Sequence, residues 1–476
     1  MVFSSLLFVY LFLALNLFIY SRAHKITTKN IIMLVFSLIF YSWGGPKYLF
    51  LLVGMTFISW IMALAISRYH DHKKALLIAD CILQLGLLGI FKYTGFILGN
   101  IQSITGFPEV IPQIALPIGI SFYTFQLLSY VVDVYRGDVL PQKKFWLLLL
   151  YASLFHQCIA GPIVRYQDVQ EDILHRRPKI NEIDRGIKRF CIGLAKKAIL
   201  ANGCAVIADT FLITDDLKAL SSVSALGLWL GVLCFMLQIY LDFSAYSDMA
   251  IGMGLMIGFH YKENFNYPYI ANSITEFWRR WHISLSTFFR DYVYIPLGGN
   301  RKGPARTIIN LLIVWFLTGM WHGASWNYIL WGLYFFIFLV LEKNFLLKKF
   351  ARLPGFISHI YALVVIYFGW ILFKFEDLSG LGIVLKGMFG LNGNSFSDMQ
   401  VGLMFKNNVF FLIFAIIAVT PLLKTIRQKI IQWFKSRKAI PYPVYAYEII
   451  VPVVLLLLST MALVGNSYNP FLYFQF

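Results

Sequence analysis

His322 stands in the stretch Gly319-Met320-Trp321-His322-Gly323-Ala324-Ser325-Trp326, near the middle of residues 307–341, a run of 35 residues without an Asp, Glu, Lys or Arg. An ionisable side chain in so apolar a run is costly to bury and points to function. An imidazole, with an ordinary pKa of about 6.5, can take a proton from a hydroxyl at neutral pH. The glycines on either side let a helix break and let a ligand approach the backbone. The plainer alternative is a neutral histidine hydrogen-bonded between helices.

A second histidine, His282, lies in Trp278-Arg279-Arg280-Trp281-His282-Ile283-Ser284-Leu285-Ser286, inside a polar segment, 262–306, with a net charge of +4. Asn264-Phe265-Asn266-Tyr267-Pro268-Tyr269 precedes it and Ile295-Pro296-Leu297-Gly298-Gly299-Asn300-Arg301 closes the segment. Arginine forks match phosphate geometry, so this density of Arg, Trp, Tyr and Gly suits a surface that grips a phosphate-bearing donor. Trp278, Arg279, Arg280, Arg290, Ser284 and Asn266 are the candidate contacts here, with Trp321 and Ser325 beside His322. The alternative is an ordinary cytoplasmic loop with an interfacial aromatic belt. Asp242 and Asp248, in Gln238-Ile239-Tyr240-Leu241-Asp242-Phe243-Ser244-Ala245-Tyr246-Ser247-Asp248, should face the interior and pair. They either lock helices together or support the site from behind.

Other chemistries lack their signatures. There is no G-x-S-x-G elbow and no G-x-x-x-x-G-K-S/T loop. The cysteines Cys81, Cys158, Cys191, Cys204 and Cys234 form no C-x-x-C pair and read as small core residues, so neither disulfides nor zinc is expected. His70 and His72 flank Asp71 in a basic loop that gives little support to a metal site, and no metal is expected.

The elements that must carry these residues follow from composition. Of the 476 residues, 59% are hydrophobic and 13% charged, too apolar a chain to cover its surface in water. A soluble enzyme, a disordered protein and a disulfide-stapled domain are excluded. Residues 219–241, 307–341 and 449–476 are uncharged runs at or above the roughly 20 residues that cross a bilayer as a helix. The expectation is an all-α polytopic membrane protein, one domain over 1–476, with roughly ten to twelve transmembrane helices plus shorter re-entrant or interfacial ones. The first apolar run, 2–20, reads as a retained helix with its N-terminus outside. Further apolar segments are read at 75–91, 94–104, 145–163 and 245–259, among others.

The net charge of +18 comes from basic residues in short loops between apolar runs, which holds those loops in the cytoplasm. It also suits an anionic donor or anionic membrane lipid. No nucleic-acid motif accompanies it, and nucleic acid is not an expected partner. Strict alternation of sides does not close, because 145–163 has basic loops on both flanks. With Pro117, Pro162 and Pro268 nearby, some segments are read as re-entrant. Broken backbone at membrane depth survives only inside protein or against a water-filled cavity, so a cavity reached from the cytoplasmic side is expected.

Taken as a set and in order, Leu116-Pro117-Ile118-Gly119-Ile120-Ser121-Phe122-Tyr123, Ile159-Ala160-Gly161-Pro162-Ile163-Val164-Arg165-Tyr166, Gln238 to Asp248, Phe277 to Arg301 and Trp321-His322-Gly323 resemble the membrane-bound O-acyltransferase superfamily. More narrowly, they resemble its bacterial branch that O-acetylates exported polysaccharides such as alginate. The resemblance implies a helical ring around a central funnel, with the donor entering from the cytoplasm and the acceptor reached from outside. It implies that His322 is the catalytic residue and that His282 occupies the second family position, orienting the donor or stabilising developing negative charge. It further implies acetyl-CoA as donor substrate with no bound cofactor, a separately encoded periplasmic acetylation partner, and residence in the inner membrane. Transfer of D-alanine from a carrier protein to teichoic acid remains open. So does a different class, a transporter or channel in which His322 and the buried aspartates form an ion path.

Overall fold

The computed structural model describes residues 2–157, 161–437, 442–465 and 470–472. Among these, nine helices are long and apolar enough to cross a membrane, joined by the shorter apolar helices Leu7–Arg22, Ile26–Ser42 and Leu378–Met388. The chain is an all-helical, multi-pass membrane protein, as its composition requires.

Helix α1, Pro46–Arg68, opens on a proline in its first turn, where the missing N–H has no intrahelical partner to lose. Helix α2, Lys73–Thr105, closes on Gly106 in the left-handed conformation. The apolar segments 75–91 and 94–104 are thus one helix, and Lys92 and Tyr93 lie in its interior. Two polar residues do not interrupt a helical backbone; only their side chains need partners. The segment expected to be re-entrant begins as the helix Phe145–Ser153, whose nine residues are too few to cross a bilayer. Its next part, Cys158, Ile159 and Ala160, lies outside the described residues. Pro162 follows in non-helical chain, and Pro117 likewise precedes the helix Ile120–Arg136.

Helix α3, Ile180–Ala195, continues through a π-helical turn at Lys196–Ala201 into Asn202–Phe211. It lies against α4, Ala225–Ile257, whose central part is buried on nearly every side. The approach is close: a Cβ on Gly186 would sit 2.6 Å from the Gly252 carbonyl oxygen, and one on Gly193 would sit 2.8 Å from that of Ala245. Small residues at matched positions are what allow membrane helices to pack backbone to backbone. The segments 219–241 and 245–259 therefore belong largely to one helix, with Asp242 in its middle. Gly258, at φ +89°, ends it.

Between α4 and the next span, the polar segment folds inward rather than lying on the surface. Its short helices α5, Ile274–Arg280, and α6, Ile283–Phe289, bury Ile274, Phe277, Trp278, Leu285, Phe288 and Phe289. Much of the aromatic density, which suited either a donor-gripping surface or an interfacial belt, is packed core, and exposed basic residues such as Lys262, Arg279 and Arg301 rim it. The 35-residue uncharged run divides into α7, Gly303–His322, and α8, Trp326–Leu341. The break falls at His322-Gly323, where the flanking glycines allow it. After the turn the chain runs back along α7, and neither Gly319 nor Gly332 has room for a side chain: a Cβ on Gly319 would strike the Tyr328 carbonyl and one on Gly332 that of Trp315. Helices α9, Gly355–Lys374, α10, Met399–Ala418, and α11, Tyr442–Val464, complete the spans. Helices α1, α2, α10 and α11 leave Phe50, Ile82, Phe410 and Met461 exposed, as lipid-facing positions should be.

Arg177 and Arg301 are both exposed and lie in segments, 165–197 and 262–306, that each carry a net charge of +4, which predicts a cytoplasmic position for both. Single cysteines placed at these positions in a cysteine-free background should resist a membrane-impermeant thiol reagent in intact cells and react once the membrane is permeabilised. Efficient labelling from outside would reverse the topology.

Candidate active site

The end of α7 carries His322, and its ring is enclosed by aromatic side chains. Ring centroids lie 4.9 Å away for Trp331, 5.0 Å for Trp321 and 5.3 Å for Phe373. His322, Trp331 and Phe373, with Trp281, Trp370, Phe243, Ile239, Asp242 and Leu472, line a cavity of about 20 Å³, room for about one water. Among the described residues, His322 and Asp242 are the only ionisable side chains in that lining. Nδ1 of His322 is buried with no hydrogen-bond partner among the described residues.

His282 faces the same cluster from the other side of Trp321, with ring centroids 5.7 Å apart. It connects α5 to α6 at φ +43°, in the left-handed region that non-glycine residues seldom occupy. Asn264 holds this turn. Its carbonyl accepts from Ile283 N at 2.9 Å, and its Oδ1 accepts from Ser284 N at 3.1 Å and Ser284 Oγ at 2.9 Å. The Ser284 backbone N–H fixes the amide with oxygen toward His282, whose Nδ1 lies 3.3 Å from Oδ1. Nδ1 therefore carries the proton and donates to Asn264. Nε2 keeps its lone pair and is buried without a partner among the described residues. Ser284 Oγ also accepts from Ile163 N at 3.0 Å, tying the turn to the chain just after Pro162.

Two buried carboxylates brace the surroundings. Glu342, fully buried just past α8, accepts from Ile274 N at 2.5 Å, Thr275 N at 2.8 Å and Thr275 Oγ1 at 2.6 Å. Negative charge at the start of α5 satisfies N–H groups that have no intrahelical partner. Asp242 pairs with Lys197 at 2.5 Å, both side chains at most 4% exposed, and its second oxygen accepts from Leu472 N at 2.7 Å. Lys197 also donates to the Pro470 carbonyl at 2.8 Å. Residues 470–472 are thereby held in the interior, and Leu472 separates the His322 cavity from a larger one. That second cavity, about 350 Å³, is lined by Thr214, Leu217, Phe235, Lys374, Phe375, Glu376, Asp377 and Gly380 as well as Leu472.

The remaining sequence candidates fall into distinct settings. Trp278 is buried edge-on against Trp315 at 4.8 Å and Phe335 at 4.9 Å, so it packs the core. Arg280 pairs with Glu276 at 2.8 Å, and Arg290 pairs with Asp291 at 2.6 Å. Arg279 is exposed and forms no ion pair among the described residues. Asn266 is exposed and bonds through its backbone to the Arg280 carbonyl at 2.9 Å. Ser325 precedes α8 without capping it. Asp248 sits away from the cavity lining, bridged by Lys196 at 2.7 Å and Arg189 at 2.9 Å, and so locks α3 to α4. Asn264, Lys197, Glu342, Trp331, Trp370 and Phe373 were not singled out in the sequence. A two-residue step separates Asn264 from Asn266, and only the fold distinguishes them.

Residues 144–384 match the membrane-bound O-acyltransferase family. The chain belongs to that family. It is an O-acyltransferase, which decides against the transporter reading. It is 35% identical, over the full length of both chains, to a protein named probable alginate O-acetylase AlgI from Azotobacter vinelandii. It is 34% identical to the peptidoglycan O-acetyltransferase of Helicobacter pylori over 84% of this chain and 82% of that one. A teichoic acid D-alanyltransferase of Bacillus subtilis is 30% identical over 55% of this chain and 68% of its own. The matched range contains both histidines, Asp242 and the aromatic walls.

Asn264→Ala removes the shared acceptor of the His282 turn and strands buried donors, at roughly 1–3 kcal/mol each. The expected result is a lower thermal unfolding temperature in detergent together with lower acyl-transfer activity. An unchanged unfolding temperature would mean that these bonds do not hold the turn.

Proposed function

We propose that this O-acyltransferase moves an acetyl group from acetyl-CoA on the cytoplasmic side to a hydroxyl of an exported polysaccharide, directly or through a periplasmic partner, in the inner membrane. The observation that carries the reading is the buried Nδ1 of His322, without a hydrogen-bond partner among the described residues, at a broken helix end inside an aromatic-walled cavity. Full-length similarity to an alginate O-acetylase, and partial similarity to a D-alanyltransferase, favour acetyl over D-alanyl transfer.

In this reading neutral His322 takes the proton of the acceptor hydroxyl as its oxygen attacks the thioester carbonyl. The carbon–sulfur bond breaks, and the leaving thiolate takes the proton back from the imidazolium. No net charge then remains in the cavity. His282, with Nε2 as an acceptor, orients the donor by receiving a hydrogen bond; in this tautomer it has no proton to offer an oxyanion. Arg279, which forms no ion pair among the described residues, is available to a donor phosphate at the cytoplasmic rim. The acceptor approaches through the cavity bearing Lys374, Glu376 and Asp377. That end of α9 lies opposite the basic residues 343–352, which the charge rule holds in the cytoplasm.

His322→Gln keeps bulk and hydrogen bonding but cannot serve as a base near pH 7. Transfer of label from radiolabelled acetyl-CoA should fall by about 10²–10⁴-fold at wild-type expression. Full activity would make His322 a structural residue. Arg279→Ala should raise KM for acetyl-CoA about tenfold or more, the value of a charge-assisted phosphate contact, with kcat little changed. An unaltered KM would reduce the basic rim to a topological signal.

A further inference from the structure

Three successive carbonyls, those of Met320, Trp321 and His322, end α7 where no helical N–H follows. Gly323 leaves in extended conformation, φ −164° and ψ 160°, so the usual donors four residues on are turned away. Helix α2 supplies the missing donors. Tyr93 Oη donates to the Met320 carbonyl at 2.8 Å, and Lys92 Nζ donates to the carbonyls of Trp321 and, at 3.3 Å, His322. Lys92 forms no ion pair among the described residues. It is a lysine in the middle of a span, and its hydrogen bonds among the described residues all go to the backbone that carries His322. A positive group is also electrostatically favoured at a helix C-terminus. Lys92 lies outside the residues that match the family, 144–384.

We infer that Lys92 is a positioning residue for acyl transfer, holding the His322 backbone in register so that the imidazole meets the reacting hydroxyl. The inference rests on His322 being the base. A hydroxyl or water could satisfy one of these carbonyls, but an ammonium group spans two and ties them to a separate helix. Loss of that tie lets the final turn of α7 fray, and the ring moves with it. Misplacement of a reacting group by about 1 Å can cost 10²-fold in rate.

The test compares Lys92→Met, Lys92→Arg and Tyr93→Phe in the full chain in native membranes, beside His322→Ala. Readouts are kcat and KM for radiolabelled acetyl-CoA, thermal stability, and the rate at which diethyl pyrocarbonate modifies the His322 peptide. Lys92→Met should lower kcat about 10- to 100-fold, with KM within about twofold, and change the modification rate of His322. Lys92→Arg should recover most of kcat, because it restores donors and charge. Tyr93→Phe, one residue further from His322, should cost less. Inactive His322→Ala with wild-type kcat in Lys92→Met would overturn the positioning role and leave the base intact. Active His322→Ala would overturn the base itself. If Lys92→Met does not fold, the decision passes to the other two variants: a folded Lys92→Arg with wild-type kcat and His322 reactivity, alongside a milder Tyr93→Phe, supports the role. A Tyr93→Phe kcat loss as large as that of His322→Ala refutes it.

Discussion

A helix that stops inside an apolar slab leaves carbonyls that water cannot reach, and the surrounding protein must supply donors for them. That constraint acts at the end of α7. Breaking the helix at His322-Gly323 places a histidine at the tip of a rigid rod, with its ring aimed into a cavity. It also obliges α2 to pass the break and present Lys92 and Tyr93. The return helix α8 can lie close against α7 only because Gly319 and Gly332 give up their side chains to the neighbouring backbone. The catalytic candidate, the lysine that supports it and the glycines around it thus answer one requirement.

The same economy governs buried charge. Ionised groups in a low-dielectric interior are tolerated only when paired or fully hydrogen-bonded. Asp242 meets Lys197, Asp248 meets Lys196 and Arg189, and Glu342 meets three donors at the start of α5. These contacts lock α3 to α4 and α8 to the inward-folded segment. Helices in lipid gain little from hydrophobic association, so close packing and such polar contacts must hold them in place. A firm frame in turn lets the turn at His282 keep its left-handed conformation, which Asn264 secures from within.

Much of this was legible in residue order. Uncharged runs announced the spans, the glycines around His322 announced the break, and the paired aspartates announced interior contacts. What stayed hidden depended on partners distant in the chain. Lys92 interrupts a hydropathy run and looks like a loop residue until the Trp321 carbonyl is found beside it, 229 residues later in the sequence. Arg280 and Arg290 looked as available as Arg279, because a nearby Glu276 or Asp291 reveals its pairing only in three dimensions. Trp278 shares its composition with a substrate surface but packs as core, since aromatic density alone does not say which face is inward.

The small cavity beside His322 bears on how the chemistry can proceed. About 20 Å³ admits a water but no acyl chain, so the walls must part before a donor enters. Leu472 is the wall common to the small cavity and the larger polar one, and it is held by a backbone N–H to Asp242 and a neighbouring carbonyl to Lys197. With both oxygens of Asp242 engaged, no carboxylate among the described residues of the lining is free to stabilise an imidazolium at His322. An aspartate–histidine relay of the serine-hydrolase kind is therefore not assembled here. A base in such surroundings works best when the proton it accepts leaves again within the same turnover. A thioester donor meets that condition, because the thiolate it releases is itself the acceptor of that proton.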